Sequence, residues 1–320
     1  MSGINHRDVT VNGLRMRIAE AGEGPLVLLL HGFPESWYSW RHQLRALAEA
    51  GFHAVAPNQR GYPGTDAPAD VEDYTILHLV GDAIGLVTEL GERTTTVVGH
   101  DWGAPVAWHA ALLRPDVVRG VAGLSVPHIP RSPVRPLTAL RERFGERFYQ
   151  LYFQRPGVEA EFEADLDRTF RTLLYGISGD GRGGRDMLVD VDKGFLGAWT
   201  PPPELPAWLA EADIAAYTEE FAGASFTGPL NWYRNIDRNW ALTAAWDGAT
   251  ISPPALMLAG DRDPVISWFD RDRLEQGIRR GVPDLRRFEL LPGAGHWIQQ
   301  ERPDEVNAAL VDFAKQAVSG

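Results

Sequence analysis

No cysteine occurs in the 320 residues of this chain. Disulfides, thiolate metal sites and a cysteine nucleophile are thereby excluded. Clusters of Lys and Arg are missing too, and the formal net charge is −12. Nucleic acid and anionic membrane would repel such a chain, so neither is an expected partner. The longest purely apolar run, Leu26–Leu30, is far shorter than the roughly 20 residues of a bilayer-spanning helix. The N-terminal MSGINHRDVTVNG has no apolar stretch of the signal-peptide kind. A cytoplasmic protein without a membrane anchor is the expectation. What remains is ordinary for a chain that buries a core, with 44% hydrophobic and 23% charged residues.

The organising stretch is Thr94–Trp108, TTTVVGHDWGAPVAW. Its β-branched start reads as a buried strand, and a helix is expected to begin around Asp101. Glycines bracket the acid in Gly99-His100-Asp101-Trp102-Gly103. That is the layout of a nucleophile elbow, G-x-S-x-G, with Asp in place of Ser. An N-cap role alone would explain the Asp but not both glycines.

Around this stretch the chain alternates strands and helices. Residues 9–18 alternate about Asn12-Gly13, a pair that favours a type I′ hairpin. Strands are expected at 26–30, 53–57, 117–124, 254–259 and 286–291, with helices at 40–50, 76–90, 268–277 and 304–318. Short connections between alternating elements imply a mostly parallel, doubly wound sheet. The rhythm breaks at Pro127 and resumes near Ala249. Helical stretches are expected between, at 137–153, 158–175, 213–222 and 230–240. The reading is therefore an α/β core at 1–126 and 250–320, with a helical insertion at 127–249. In the insertion, Phe162, Leu166, Phe170 and Leu173 share one helix face, and the acids Glu159, Glu161, Glu163, Asp165 and Asp167 fill positions expected to face solvent. Gly176–Gly184 reads as a flexible loop without the ending of a phosphate loop.

Chemistry-bearing residues recur where strands end, which is where open α/β sheets place their sites. Asp101, Asp263 and His296 follow three different strands. Their order of nucleophile, acid and histidine is that of the α/β-hydrolases. His296 stands out among nine histidines because glycines flank it in a post-strand turn. His78 and His109 sit within helices and read as packing or surface residues. His100 is expected to point away from Asp101.

On these residues the sequence resembles the epoxide hydrolases of the α/β-hydrolase superfamily. The resemblance spans about His6 to Ala314. It rests on His31-Gly-Phe-Pro-Glu-Ser-Trp37, Gly99-His-Asp-Trp-Gly103, Tyr152-Phe-Gln-Arg-Pro-Gly157, Asn231-Trp-Tyr-Arg-Asn235, Asp263 and Gly295-His296. It implies that the insertion is a cap and that two cap tyrosines, matched here to Tyr152 and Tyr233, face the nucleophile. It also favours Asp263 over Asp261 as the acid orienting His296. The sequence departs from the family at Asn58 and Pro63, where Asp and Gly are common.

A carboxylate nucleophile has its own chemical logic. Attack by Ser on saturated carbon would leave an inert ether, whereas Asp leaves an ester that water can cleave. Asp101 therefore predicts substitution at sp³ carbon through an alkyl-enzyme. Its place at a helix N-terminus favours the ionised form. The expected sequence of events is attack by Asp101 on an epoxide carbon while Tyr152 and Tyr233 hydrogen-bond the ring oxygen. Water activated by His296 and Asp263 then cleaves the ester, with the backbone N–H groups of Phe33 and Trp102 as the oxyanion hole. A lipophilic epoxide and water are the expected reactants, and this chemistry needs no metal or organic cofactor. Phe33, Pro34, Trp102, Ile129, Phe153, Trp232 and Trp297 are the expected pocket. A dehalogenase could use the same three residues but does not require two phenols. A non-catalytic binder of the same fold would have no need of Asp101, Asp263 and His296 together. A homo-oligomer is left open.

Overall fold

At Asn12 and Gly13 φ is +53° and +81°, the left-handed pair that a type I′ hairpin demands. This turn joins β1 (Asn5–Val11) to β2 (Leu14–Ala21). The computed structural model describes residues 3–181, 186–190 and 192–319. Among them β3 (Leu26–Leu30), β4 (His53–Pro57), β5 (Thr95–His100), β6 (Val118–Leu124), β7 (Ala255–Gly260) and β8 (Leu285–Leu291) complete one eight-stranded sheet. Its order is β1-β2-β4-β3-β5-β6-β7-β8. The pairings β1–β2 and β2–β4 are antiparallel and all others parallel. This is the mostly parallel, doubly wound sheet that the alternating elements predict. β3, β5 and β7 are wholly buried, as continuous apolar runs covered on both faces must be. Chain order reverses beside β3, so the strand ends carrying His31, Asp101, Asp263 and His296 gather on one edge. No described helix is long and apolar enough to cross a membrane.

Between β6 and β7 the described residues contribute no strand to the sheet, only the isolated bridges Phe148↔Leu188 and Asp190↔Gly194. The helices here are shorter than periodicity suggests. The stretch 137–153 divides into Pro136–Phe144 and Tyr149–Tyr152, because Gly145 at φ +79° ends the first. The stretch 158–175 divides into Glu159–Glu163 and Leu166–Gly176, where Asp165 caps the second through the N–H of Arg168. The stretch 230–240 divides into Thr227–Arg234 and Ile236–Leu242. After β7 the helix expected at 268–277 runs instead over Arg271–Gly281, where Asp270 caps it, and a separate short helix, Pro264–Ser267, precedes it. Two of the acids expected to be solvated turn inward. Glu159 pairs with Arg234 at 2.7 Å, and Glu161 accepts from Tyr152 Oη at 2.9 Å and Leu196 N at 2.6 Å. They hold the insertion's loops together. Of the loop read as flexible, residues 176–181 are pinned by backbone bonds described below, and residues 182–184 lie outside the described residues.

The insertion is latched onto the core through polar groups. Tyr38 Oη donates to Asp213 Oδ1 at 2.9 Å, and Arg41 pairs with the same oxygen at 3.0 Å. The two departures from the family pattern bond each other: Asn58 Nδ2 donates to Pro63 O at 2.7 Å. The same amide nitrogen donates to Glu220 Oε2 at 3.0 Å, and Asn58 Oδ1 accepts from Trp37 N at 2.7 Å. Trp37 Nε1 supplies the other Glu220 oxygen at 3.0 Å. An Asp at position 58 would set a carboxylate against Glu220 and against a carbonyl, at a site only 1% exposed. Asn58→Asp is expected to cost about 2–4 kcal/mol in urea unfolding at neutral pH, within the range for an uncompensated buried charge. Its pKa would be raised in the folded state, so the loss grows as pH rises through the unfolded value and shrinks on acidification. Adding Glu220→Gln should restore most of the stability.

Candidate active site

β5 leads into the elbow, and the helix Gly103–Leu113 leads out of it. Asp101 sits at the apex with φ +48°, a left-handed conformation costly for any residue with a Cβ. The bracketing glycines are steric necessities. A Cβ on Gly99 would strike Gly103 O, one on Gly103 would strike Leu30 O, and one on Gly32 would strike the Asp101 side chain. The apex therefore presents its carboxylate between two backbone segments.

One oxygen of Asp101 accepts from Phe33 N at 2.7 Å. The other lies 3.3 Å from His296 Nε2. His296 Nδ1 lies 3.0 Å from Asp263 Oδ2, and Asp263 is fully buried. Its other oxygen accepts from Val265 N at 2.8 Å, which caps the helix Pro264–Ser267 and fixes the carboxylate. The rival Asp261 is exposed and accepts from Gly293 N at 2.7 Å, so it shapes the turn and leaves the imidazole to Asp263. Burial alone would push the Asp101 carboxyl up, but the His296 hydrogen bond and charge, the His100 charge and the Phe33 N–H leave it below its ordinary value. For His296, burial works against the charged form and the two aspartates outweigh it, so its pKa stands well above the ordinary value. His100 faces Glu35 and the His296 carbonyl, each at 2.7 Å, behind the site.

A cavity opens over Asp101. Phe33, Pro34, Phe153 and Trp297 line it, as do Leu173, Ile177, Met187, Phe195, Pro264 and Val265. Its polar side chains are Asp101, Asp263, His296, Tyr149 and Tyr233. Three expected pocket residues lie elsewhere. Ile129 is 59% exposed, because the chain leaving β6 runs against Gly281 instead of toward the site. Trp232 is fully buried, donates to Arg60 O at 3.1 Å and packs edge-on against Tyr62. Trp102 packs edge-on against Tyr233 and Trp232.

The tyrosine pair also needs correcting. Tyr152 does not line the cavity: its hydroxyl donates to Glu161 and Arg155 lies over its ring. The phenol beside Tyr233 is Tyr149, the first residue of the same short helix, 7% exposed, with its hydroxyl accepting from Gln150 Nε2 at 2.9 Å. Burial and the Asp101 charge push both pocket phenols up, Tyr233 also feeling Tyr149 and Tyr62. Both therefore stay protonated as hydrogen-bond donors. Rings of Phe33, Phe153, Tyr149 and Tyr233 meet edge to face at centroid distances of 4.9 to 6.0 Å. Each such pair contributes about 0.5–1.5 kcal/mol beyond burial, enough to hold the phenols as a rigid roof. Tyr149 stands three residues before the motif tyrosine in Tyr149-Gln-Leu-Tyr152. Both have the right chemistry, and only the direction of the helix separates them. Among the described residues no group of three or more His, Asp or Glu side chains is placed to hold a metal ion.

Residues 25–303 match the family model described as the alpha/beta hydrolase fold. The chain is 48% identical over 319 residues to epoxide hydrolase A of Mycobacterium tuberculosis, covering 98% of each chain. It is 43% identical to epoxide hydrolase 3 of Siraitia grosvenorii, over 98% of this chain and 99% of that one. Among solved structures, an epoxide hydrolase from an endophytic Streptomyces superposes with a TM-score of 0.95 at 44% identity, covering 100% of this chain and 98% of that one. Epoxide hydrolase A from Mycobacterium thermoresistibile gives 0.91 at 49% identity, with 98% of each covered.

Proposed function

The chain belongs to the epoxide hydrolases of the α/β-hydrolase family, and on that premise we propose that it converts a lipophilic epoxide to a vicinal diol through an ester on Asp101. The observation that carries this reading is one cavity that holds an activated carboxylate and two phenols together. Asp101 attacks a ring carbon while Tyr149 and Tyr233 donate to the ring oxygen. Even with their pKa values raised, both phenols remain protonated and donate to the oxygen as its negative charge develops. Among the described residues no Lys or Arg lines the cavity, which suits an uncharged substrate among apolar walls. The insertion acts as a cap, because it supplies both phenols and most of the apolar roof.

Alkylation removes the Asp101 charge, one of the two charges that raise the His296 pKa. The imidazole then gives up its proton more readily, replacing through solvent the proton the phenol lost to the ring oxygen. Oriented by Asp263, it takes one from water attacking the ester. The carbonyl oxygen held by Phe33 N is the oxygen that becomes the oxyanion. Trp102, at the start of the following helix, is the second backbone donor. The two phenols lining the cavity favour an epoxide oxygen over a halide as the leaving group, since a halide needs no proton.

A single turnover in heavy-oxygen water tests the covalent route. The first diol should emerge unlabelled and the label should appear on the peptide containing Asp101. Label in that first diol would mean direct attack of water and would overturn the ester.

A further inference from the structure

His296 sits in a soft turn, Gly293-Ala294-Gly295-His296, and glycines give such a turn no stiffness of its own. Three successive amides of this turn are nevertheless held from outside. The N–H groups on either side of His296 donate to the two oxygens of one carboxylate, Gly295 to Glu301 Oε2 at 2.8 Å and Trp297 to Glu301 Oε1 at 3.0 Å. The N–H of His296 donates to Ile177 O, in the insertion, at 3.0 Å. Glu301 Oε2 also accepts from Gly179 N at 2.8 Å. Arg262, next to Asp263, donates to Gly179 O at 3.1 Å. The two backbones approach so closely that a Cβ on Gly295 would strike Ser178 and Gly179, and one on Gly179 would strike Gly293 O. Burial pushes the Glu301 carboxyl above its ordinary range, and the three N–H bonds draw it partly back. Glu301 itself does not line the cavity.

We propose that Glu301 is a positioning residue that ties the insertion's glycine loop to the His296 turn and so holds the imidazole in place for ester hydrolysis. The inference rests on the covalent reading given above. Ring opening relies on Asp101, Phe33 N, Tyr149 and Tyr233, none of which Glu301 contacts. A defect at Glu301 should therefore divide the two half-reactions. In Glu301→Gln an amide NH₂ replaces one acceptor, so at least one of the three backbone donors loses its partner. A displacement on the order of 1 Å at the base can slow a reaction about a hundredfold.

The experiment compares wild type, Glu301→Gln and His296→Gln by rapid-quench mass spectrometry of the ester, with steady-state kinetics on the same epoxide. For Glu301→Gln, alkylation should stay within about threefold of wild type while kcat falls about ten- to hundredfold. KM should fall with it, because slowed hydrolysis lets ester accumulate. Gly179→Ala, which pushes the loop off the turn and leaves Glu301 intact, should give the same split and serves if Glu301→Gln fails to fold. A merely structural role would lower alkylation and hydrolysis together through lost active protein, leaving KM unchanged. That result, or wild-type kcat in the folded variant, overturns the proposal while His296→Gln still traps ester. If His296→Gln itself traps no ester, the covalent reading fails and the positioning role falls with it.

Discussion

His296→Gln should stop the reaction at the ester, leaving protein heavier by one epoxide on the peptide that carries Asp101. The expectation follows from how the two oxygens of Asp101 are held. Phe33 N fixes one at 2.7 Å, and the other, 3.3 Å from His296, is available as nucleophile. Attack on the epoxide asks nothing of the imidazole as a base. Water attacking the ester does, and loss of a general base typically costs about 10²–10⁴-fold. Intact-mass analysis within the first turnover checks the prediction, and finding only bare enzyme after epoxide addition would remove His296 from the role. The wild-type pH profile supplies a second reading. The base acts in its neutral form, so hydrolysis of the ester should accelerate as pH rises through the His296 pKa in that state. That pKa lies below the value in the free enzyme, where Asp101 still carries its charge and raises it together with Asp263. Single-turnover rates of ester decay against pH should therefore have a midpoint below the NMR titration of His296 in resting enzyme. A midpoint at or above the resting one would contradict the loss of the Asp101 charge.

Replacing both Tyr149 and Tyr233 with Phe should lower the rate of ester formation by about 10²–10⁴-fold, the usual loss with a general acid. Either single change should leave one donor on the ring oxygen and a smaller defect. Tyr152→Phe should stay within about twofold of wild type, because its hydroxyl serves Glu161, which keeps the N–H of Leu196. Rapid-quench measurement of ester formation separates these cases from effects on hydrolysis. Full activity in the double variant would remove the phenols from ring opening and reopen halide as the leaving group. A collapse in Tyr152→Phe, with Tyr149→Phe active, would return the role to the motif tyrosine.

Features set by neighbours in the chain were legible without the structure. The hairpin at Asn12-Gly13 and the elbow at Gly99–Gly103 depend on local backbone conformation, which glycine and asparagine announce directly. Helix breaks were harder to read. The apolar period of Phe162, Leu166, Phe170 and Leu173 runs across the break at Asp165, because one buried stripe can be shared by two short helices. Glu159 and Glu161 looked like a solvated face because their partners, Arg234 and Leu196 N, lie 75 and 35 residues away in the chain. Glu301 belongs to no catalytic motif, and its proposed role arises because the remote amide of Gly179 converges on it together with two amides of the nearby His296 turn.

The sequence alone carried the expectation of the reaction class, since a carboxylate at a glycine-bracketed strand end suits attack on saturated carbon better than acyl transfer. It also determined the order of strands and helices, which follows from local periodicity. The tertiary structure decided which side chains meet over that aspartate. Tyr149 faces the cavity and Tyr152 turns away, Asp263 reaches the imidazole and Asp261 holds a turn, and Trp232 packs against the core in place of lining the pocket. The first two choices lie between residues of the same type two or three positions apart. At that spacing chemistry does not discriminate, and the direction in which a short helix or turn meets the sheet does.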